Sequence, residues 1–540
     1  MSDKQPIFIL PENYQRMMGK DAQRNNIMAA RLVADAVKTT LGPKGMDKML
    51  VDSVGDIIIT NDGVTILEEM EIEHPAAKMM VEIAKTQENE VGDGTTTAVM
   101  LAGKLLENAE KLLDQKIHPT VITRGYRLAA EKCQEILKET GVRISPEQED
   151  ILKSIAMTAM TGKGAETVKD KFSEIIVRAV KQITNQGKID LSNIKIEKNK
   201  GSGLEDTELI QGIVLDKERV SVDMPEKIEN AKIALLDLAL EIKGPETEAR
   251  ISITSPEQLQ GFVEQEEQLL RKMVDKIKES GANVIFCQKG IDDIAQYYLA
   301  KSGIYACRRI AKSDMEKLAR ATQGKILSNL SELSSEQVGN AMLVEEVKNG
   351  DEAMTHVKGC QNPKALTILI HGGTEHVIDE MERSIRDGLG DVASALKTGS
   401  IVAGAGAIEI ELSSKLREYS KTLGGREQLA VEEFASSLEF IPITLAENAG
   451  LDPIDTLTEM KAAHQQDKYA GINIFTGKVE DSLKAGIIEP LKIKSQAINS
   501  ASEVAMMILR IDDVLSSGKS SSGAGGMGGM PQGMPDMGEY

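Results

Sequence analysis

The sequence predicts a multidomain α/β protein in which both ends of the chain form one mainly helical body around an inserted α/β domain. Three observations carry that prediction. The 540 residues exceed what one hydrophobic core organises, and roughly 150 residues per domain gives about three or four domains. Long amphipathic helical patterns occupy both ends of the chain, whereas the centre alternates short apolar runs with helical ones. A helical texture that stops and then returns describes a discontinuous domain interrupted by an insertion.

In chain order, residues 21–40 carry Ile27, Ala30, Leu32, Val33, Ala36 and Val37 at helical spacing, and the stop signal Leu41-Gly42-Pro43-Lys44-Gly45 follows. Gly55 to Thr60 reads as a short strand closed by the turn Asn61-Asp62-Gly63. His74-Pro75 opens a helix with proline in its first turn; it runs through Met79, Met80, Ile83 and Ala84 and stops at Gly92. A further helix starts within Thr95-Thr96-Thr97 and carries Val99, Leu101, Leu105 and Leu106.

In the centre, 232–238 reads as a buried strand. Ser255-Pro256-Glu257-Gln258 then starts a helix with Leu259, Phe262, Val263, Leu269, Leu270, Met273, Val274 and Ile277 along one side. Strand 283–287, helix 291–301, strand 304–310 and a helix capped by Ser313 complete the alternation. Long helices return after about 425, the last including Ala501 to Ile511.

Composition excludes several classes. Eighty-four acidic against 64 basic residues give a net charge of −20, which argues against nucleic-acid binding, since phosphate backbones want a basic face. Cys133, Cys287, Cys307 and Cys360 stand far apart with no CxxC pair, so neither a zinc site nor a disulfide framework is expected. The apolar patch in MSDKQPIFILPENYQ is too short for a signal peptide, and no apolar run reaches membrane-spanning length. The reading is a soluble, cytoplasmic protein without membrane partners. Residues 518–540, rich in Gly and Met, read as a disordered tail.

The P-loop GxxxxGK[ST] is missing: Gly518-Lys519-Ser520 has Asp513 in the place of the leading glycine, and Thr161-Gly162-Lys163-Gly164 has Met157 there. Gly92-Asp93-Gly94-Thr95-Thr96-Thr97 offers a different cradle. Its glycines allow close backbone approach, and free N–H groups and hydroxyls at the start of a helix attract an anion. Asp93 inside such a cradle repels phosphate unless a cation intervenes, which suits Mg²⁺. On the motif alone the run is equally a capped helix start with a glycine turn. Asp62 in Asn61-Asp62-Gly63 and Asp387 in Arg386-Asp387-Gly388 are by default turn or surface acids. With Asp93 they could supply the metal ligation and water activation that phosphoryl transfer needs.

These loops together resemble the group II chaperonins, the family of the archaeal thermosome and its eukaryotic cytosolic relatives. Thr39 to Lys48, Thr60 to Leu67 and Gly92 to Thr97 look like the family's three phosphate loops. Leu445 to Pro453 and Leu509-Arg510-Ile511-Asp512-Asp513 are similarly diagnostic, and the resemblance runs collinearly over residues 7–517. It implies an equatorial ATPase domain from 1–147 and 402–517, an intermediate hinge domain from 148–216 and 368–401, and an apical substrate-binding domain at 217–367. A lid protrusion at about 244–276 would make a separate lid co-chaperonin unnecessary.

The resemblance implies an ATP-dependent chaperone that hydrolyses ATP with Mg²⁺. Identical or homologous subunits would stack as two rings of about eight around non-native client proteins. Residue by residue, Leu41, Gly42 and Pro43 would line the α-phosphate and base side. Gly94, Thr95, Thr96 and Thr97 would cradle the β- and γ-phosphates, and Asp93 would ligate the metal. Asp62 and Asp387 would orient and activate water, and Lys163 would sense the γ-phosphate. Gly404 would sit near the ribose, with Glu489 near its hydroxyls.

Ala403-Gly404-Ala405-Gly406-Ala407 departs from the family's unbroken triple glycine, and the methyl of Ala405 would crowd a closely approaching nucleotide. Ile251, Ile253, Leu259 and Phe262 on the protrusion would contact non-native chains or neighbouring protrusions, or Leu259 and Phe262 would pack the helix onto its own domain. Two rivals differ in class: a ring scaffold that binds nucleotide without turnover, and a monomeric ATP-dependent metabolic enzyme.

Overall fold

The computed structural model describes residues 14–517 except 52, 54, 166, 186, 243–254, 350–351 and 362, and of Tyr14, Gln15, Leu259, Asn349, Glu352, Ser516 and Ser517 only the backbone. The Gly/Met-rich tail, the first part of the expected protrusion and the contacts proposed for Ile251, Ile253 and the Leu259 side chain lie outside the described residues. The fold is the multidomain α/β architecture expected, with separate hydrophobic cores.

The largest core is helical and draws on both ends of the chain, from Ile27 to Leu137 and from Val402 to Leu509. Gly19–Lys38, Pro75–Val91, Thr95–Asp114, Pro119–Thr140, Arg426–Leu438 and Leu491–Leu509 supply most of it. Their apolar residues recur every three or four positions, so each helix buries one stripe against its neighbours. The ends themselves meet: Tyr14–Met18 pairs antiparallel with Asp513–Ser517, and Arg16 bonds Asp513 at 2.6 Å.

A second core joins Leu152 to Ile194 with Leu366 to Ile401. Here the helices Glu149–Met160, Lys169–Ile183 and Glu375–Thr398 pack beside a three-stranded sheet, in which Leu366–Gly372 lies parallel to Ile194–Lys200 and antiparallel to Glu208–Ile210.

Between the two passages of this second core, a seven-stranded mixed sheet runs through residues 212–358. Its side chains alternate between two cores. Ile233, Leu235, Val284, Phe286, Tyr305 and Cys307 face one side; Ala234, Leu236, Ile285, Cys287 and Ala306 face the other. That period of two is what a sheet covered on both faces requires. All four cysteines are buried free thiols.

Several strands differ at their ends from the sequence-based expectation, the one expected at 304–310 covering only Tyr305–Cys307, and three helices differ in ways that have a physical reason. The helix expected to be capped by Ser313 starts at Lys312, with Ala311 as an N-cap that makes no side-chain bond. The last helix ends at Leu509, short of Ile511. The helix Pro256–Glu279 begins as expected, with Ser255 Oγ accepting from Gln258 N at 3.3 Å, but its apolar stripe divides. Leu270, Val274 and Ile277 are buried in the sheet's second core, while Phe262, Val263 and Leu269 are exposed. The periodicity is continuous, yet only the C-terminal half is buried in the sheet's core, and Phe262, at 38% exposed, is partly covered.

Candidate functional site

Sequence-distant loops converge on one cavity of about 410 Å³. Its phosphate-like end is built on the helix Thr95–Asp114. Gly94 is the N-cap, with φ of +80°, and no side chain caps the first turn. The leading N–H groups of Thr95, Thr96 and Thr97 thus have no partner within the helix and line the cavity together with Gly94 and Asp93. A Cβ on Gly94 would lie 2.7 Å from Ile493 Cγ2, and a left-handed φ disfavours any L side chain there. Gln87 Nε2 donates to Asp93 O at 2.8 Å and fixes the turn.

The other loops are held just as specifically. Asp62 caps the helix Gly63–Glu69, accepting from Thr65 N at 3.0 Å and Thr65 Oγ1 at 2.6 Å. Leu41, Gly42 and Pro43 line the apolar flank, and Asn448 Nδ2 anchors their loop by donating to Leu41 O at 2.9 Å. Asn61 Nδ2 donates to Gly162 O at 2.9 Å, joining the Asp62 turn to the segment that carries Lys163. Ile441, Leu445, Ile472, Ile474 and Ile487 add apolar side chains to the same lining. The chamber therefore combines apolar walls with anion donors, the mixture a nucleotide needs.

Lys163 links the two sides. Its Nζ hydrogen-bonds Asp387 Oδ2 and stands 3.8 Å from Asp93 Oδ1. Burial works against its charge, but Asp387, Asp93 and Asp62 hold the ammonium protonated well beyond the ordinary lysine range. Asp387 sits on the helix Glu375–Thr398, only 7% exposed, and reaches the cavity through Lys163 without lining it. Burial above all raises its pKa, with Asp93 and Asp62 adding to the effect and Lys163 opposing it. Glu88, one turn before Gly92, is pushed up to about 7 by burial and by Asp62 and Asp93. This surplus of carboxylates around a phosphate-shaped end calls for a cation. Mg²⁺ fits the donor set, since it takes one or two carboxylates together with phosphate oxygens and water.

Two expected positions resolve differently from one another. Glu489 lines the cavity and is fixed by Lys494 at 2.8 Å. Gly404 does not; it lies behind Glu489, where a Cβ would be 2.9 Å from Glu489 Oε1. The cavity wall there is Ala405 and Gly406. Ala405 has a φ of +56°, which costs an L residue about 1 kcal/mol. Ala405→Gly is therefore expected to raise stability by about 0.5 kcal/mol, the relief being partly offset by chain entropy, and to tighten ADP binding by removing a methyl from the wall. Calorimetric unfolding and ADP titration check both.

Sequence reading missed Glu88, Asp391 and Lys494. Asp391 carried a usable signal, its spacing of four residues from Asp387 on one helix face. Lys494 and Glu88 carried none, because their partners come from other segments.

A family model described as the TCP-1/cpn60 chaperonin family matches residues 33–519. The thermosome subunit beta of Archaeoglobus fulgidus is 62% identical over 539 residues, covering 98% of this chain and 99% of that protein. The thermosome subunit of Methanopyrus kandleri is 60% identical, with 95% of each chain covered. Among solved structures, the open-state monomer of a group II chaperonin from Methanococcoides burtonii is 49% identical with a TM-score of 0.58, covering 78% of this chain and all of that one (100%).

Proposed function

Because this chain belongs to the TCP-1/cpn60 chaperonin family, we propose that its cavity is the ATPase site that drives a folding chamber. The protein is an ATP-hydrolysing molecular chaperone and a subunit of an oligomeric ring. The observation that carries the site assignment is convergence. Thr95 to Thr97, Lys163 and Glu489 line one cavity, and Asp387 joins them through Lys163.

In this reading Leu41, Gly42 and Pro43 hold the base and α-phosphate side, and Gly94 to Thr97 receive the β- and γ-phosphates. Asp93 holds Mg²⁺, which would neutralise charge on the phosphates. Glu489 faces the ribose hydroxyls, with Gly404 packed behind it. Asp62 orients the attacking water and Asp387 takes its proton. In the described state Asp387 is occupied by Lys163; a γ-phosphate competing for Lys163 would free the carboxylate, so hydrolysis begins only once the nucleotide is in place.

The three sets of cores support a division into an equatorial domain (1–147, 402–517), an intermediate hinge (148–216, 368–401) and an apical domain (217–367). The helix Glu375–Thr398 belongs to the hinge yet carries Asp387 to the nucleotide, which couples domain movement to chemistry. The exposed half of Pro256–Glu279, with Phe262 and Val263, supports the built-in lid and contact with non-native chains. The hairpin of Lys48–Val51 and Ile57–Thr60 exposes Met49, Val51, Ile57 and Ile59, an apolar edge suited to a neighbouring subunit. Two stacked rings of about eight subunits in the cytoplasm complete the proposal. No helix among the described residues is long and apolar enough to cross a membrane.

Electron microscopy with and without Mg·ATP is the test. Open double rings that close with Mg·ATP, together with suppressed aggregation of a chemically unfolded client, are expected. A stable monomer in the presence of ATP, or rings that never change shape, would refute the chamber.

A further inference from the structure

Asp391 lies one turn beyond Asp387 on the helix Glu375–Thr398, is 2% exposed, and lines the same cavity as Asp93. Among the described residues its Oδ1 has no hydrogen-bond partner. A buried carboxylate oxygen left without a partner destabilises the fold, so packing alone would favour an apolar side chain here. The backbone explains which neighbour it faces. A Cβ on Gly390 would lie 3.1 Å from Val91 O and 3.4 Å from Gly92 Cα, so helix and phosphate loop touch directly at two glycines. Asp391 and Asp93 are the next residues on the two sides of that contact. Among the charges acting on Asp391, Asp93 is the strongest, ahead of Asp387, Lys163 and Glu489. Lys163 is already engaged by Asp387. Two carboxylates thus flank an anion-binding helix start, an arrangement that becomes favourable when a cation lies between them.

We propose that Asp391 is a second protein carboxylate for the hydrated divalent cation of this pocket, holding with Asp93 the ion or one of its water molecules. The inference rests on Asp93 as the cation ligand. Among the described residues no group of three or more His, Cys, Asp or Glu side chains is placed to hold a metal by itself. The ion therefore depends on nucleotide oxygens and water for its remaining ligands, as Mg²⁺ commonly does. Ion and nucleotide strengthen each other's binding, and the ion ties the phosphate loop to the helix that carries Asp387.

The test uses the assembled full-length chain and a fluorescent ADP analogue, titrated with Mg²⁺. Asp391→Asn is expected to raise the Mg²⁺ concentration for half-maximal binding about tenfold, with binding in EDTA no weaker than wild type, since the same change removes a carboxylate that repels phosphate. The paramagnetic resonance spectrum of bound Mn²⁺·ADP is expected to change as well. Asp391→Val is expected to show the same Mg²⁺ defect together with a higher thermal midpoint without nucleotide, since it removes an unpartnered buried carboxylate. Asp93→Asn serves as the reference and is expected to shift the requirement further. Wild-type Mg²⁺ dependence in either Asp391 variant, with Asp93→Asn still shifted, would overturn the role of Asp391 and leave the Asp93 assignment standing. Wild-type dependence in Asp93→Asn would instead remove the premise.

Discussion

Replacing Asp387 with alanine is expected to leave ATP bound while lowering phosphate release by about 10²–10⁴-fold, the contribution of a positioned general base. The binding surfaces, namely the helix start at Thr95 and the apolar flank at Leu41 and Leu445, do not involve the Asp387 side chain. Phosphate transfer to water has little covalent chemistry for a protein to perform, so orientation of the water and acceptance of its proton carry the rate. Burial, reinforced by Asp93 and Asp62, raises the Asp387 pKa, and the base must be ionised to work. The sign follows: kcat/KM rises with pH through the raised value, so its acid limb lies above the ordinary carboxylate range. Asp387→Asn removes that limb with the rest of the activity. Radiolabelled ATP binding alongside phosphate release at several pH values measures all three. Unchanged turnover in the alanine variant would remove Asp387 from the chemistry.

Lys494→Met is expected to cost about 3–5 kcal/mol, because it removes a buried cation shared by the buried Glu409 and the half-buried Glu489. Lys494 Nζ lies 2.9 Å from Glu409 Oε1 and 2.8 Å from Glu489 Oε2. Burial opposes its charge, but the two glutamates hold it protonated beyond the ordinary lysine range. Without it, the carboxylates of Glu409 and Glu489 lose the cation between them. Glu409→Gln added to Lys494→Met removes one of those charges and is expected to recover part of the loss. Guanidinium unfolding of wild type, single and double variants measures the coupling. The single variant also frees Glu489 in the cavity wall, so weaker ADP binding accompanies the lost stability. If the single variant is as stable as wild type, Lys494 is not the counter-ion that holds those glutamates together.

The two residues show where legibility in the sequence ends. Asp387 was found through a resemblance in the loops; its neighbours Gly388 and Arg386 offered nothing beyond a turn or a surface face. Lys494 was not found, since Glu409 lies on another helix and no spacing along the chain relates the pair. Helix starts and loops were far more legible. Asp62 and Ser255 cap the helices that follow them, and Gly92 and Gly94 stop one helix and start the next. These signals act over three or four residues through the backbone's own hydrogen bonds. The two misses have different causes. At Ser313 the helix starts one residue earlier, at Lys312, so the serine falls inside the first turn instead of capping it. At the exposed half of Pro256–Glu279, periodicity records which face is apolar, not whether a partner surface is there to cover it.

By itself, then, the sequence determined the α/β class, the helical ends around an α/β centre, and the glycine turns at which helices stop and start. These follow from short-range backbone preferences and apolar periodicity. Only the tertiary structure decided the pairing of charges. Lys163 meets Asp387 across 224 positions of chain, and the glycine contact between Gly92 and Gly390 sets Asp391 beside Asp93. Ala405 bends into the cavity wall with Gly404 behind it. A carboxylate's role depends on which charges and dipoles lie within a few ångströms of it. Folding brings those neighbours together from segments hundreds of residues apart, and no local pattern encodes the distance between them.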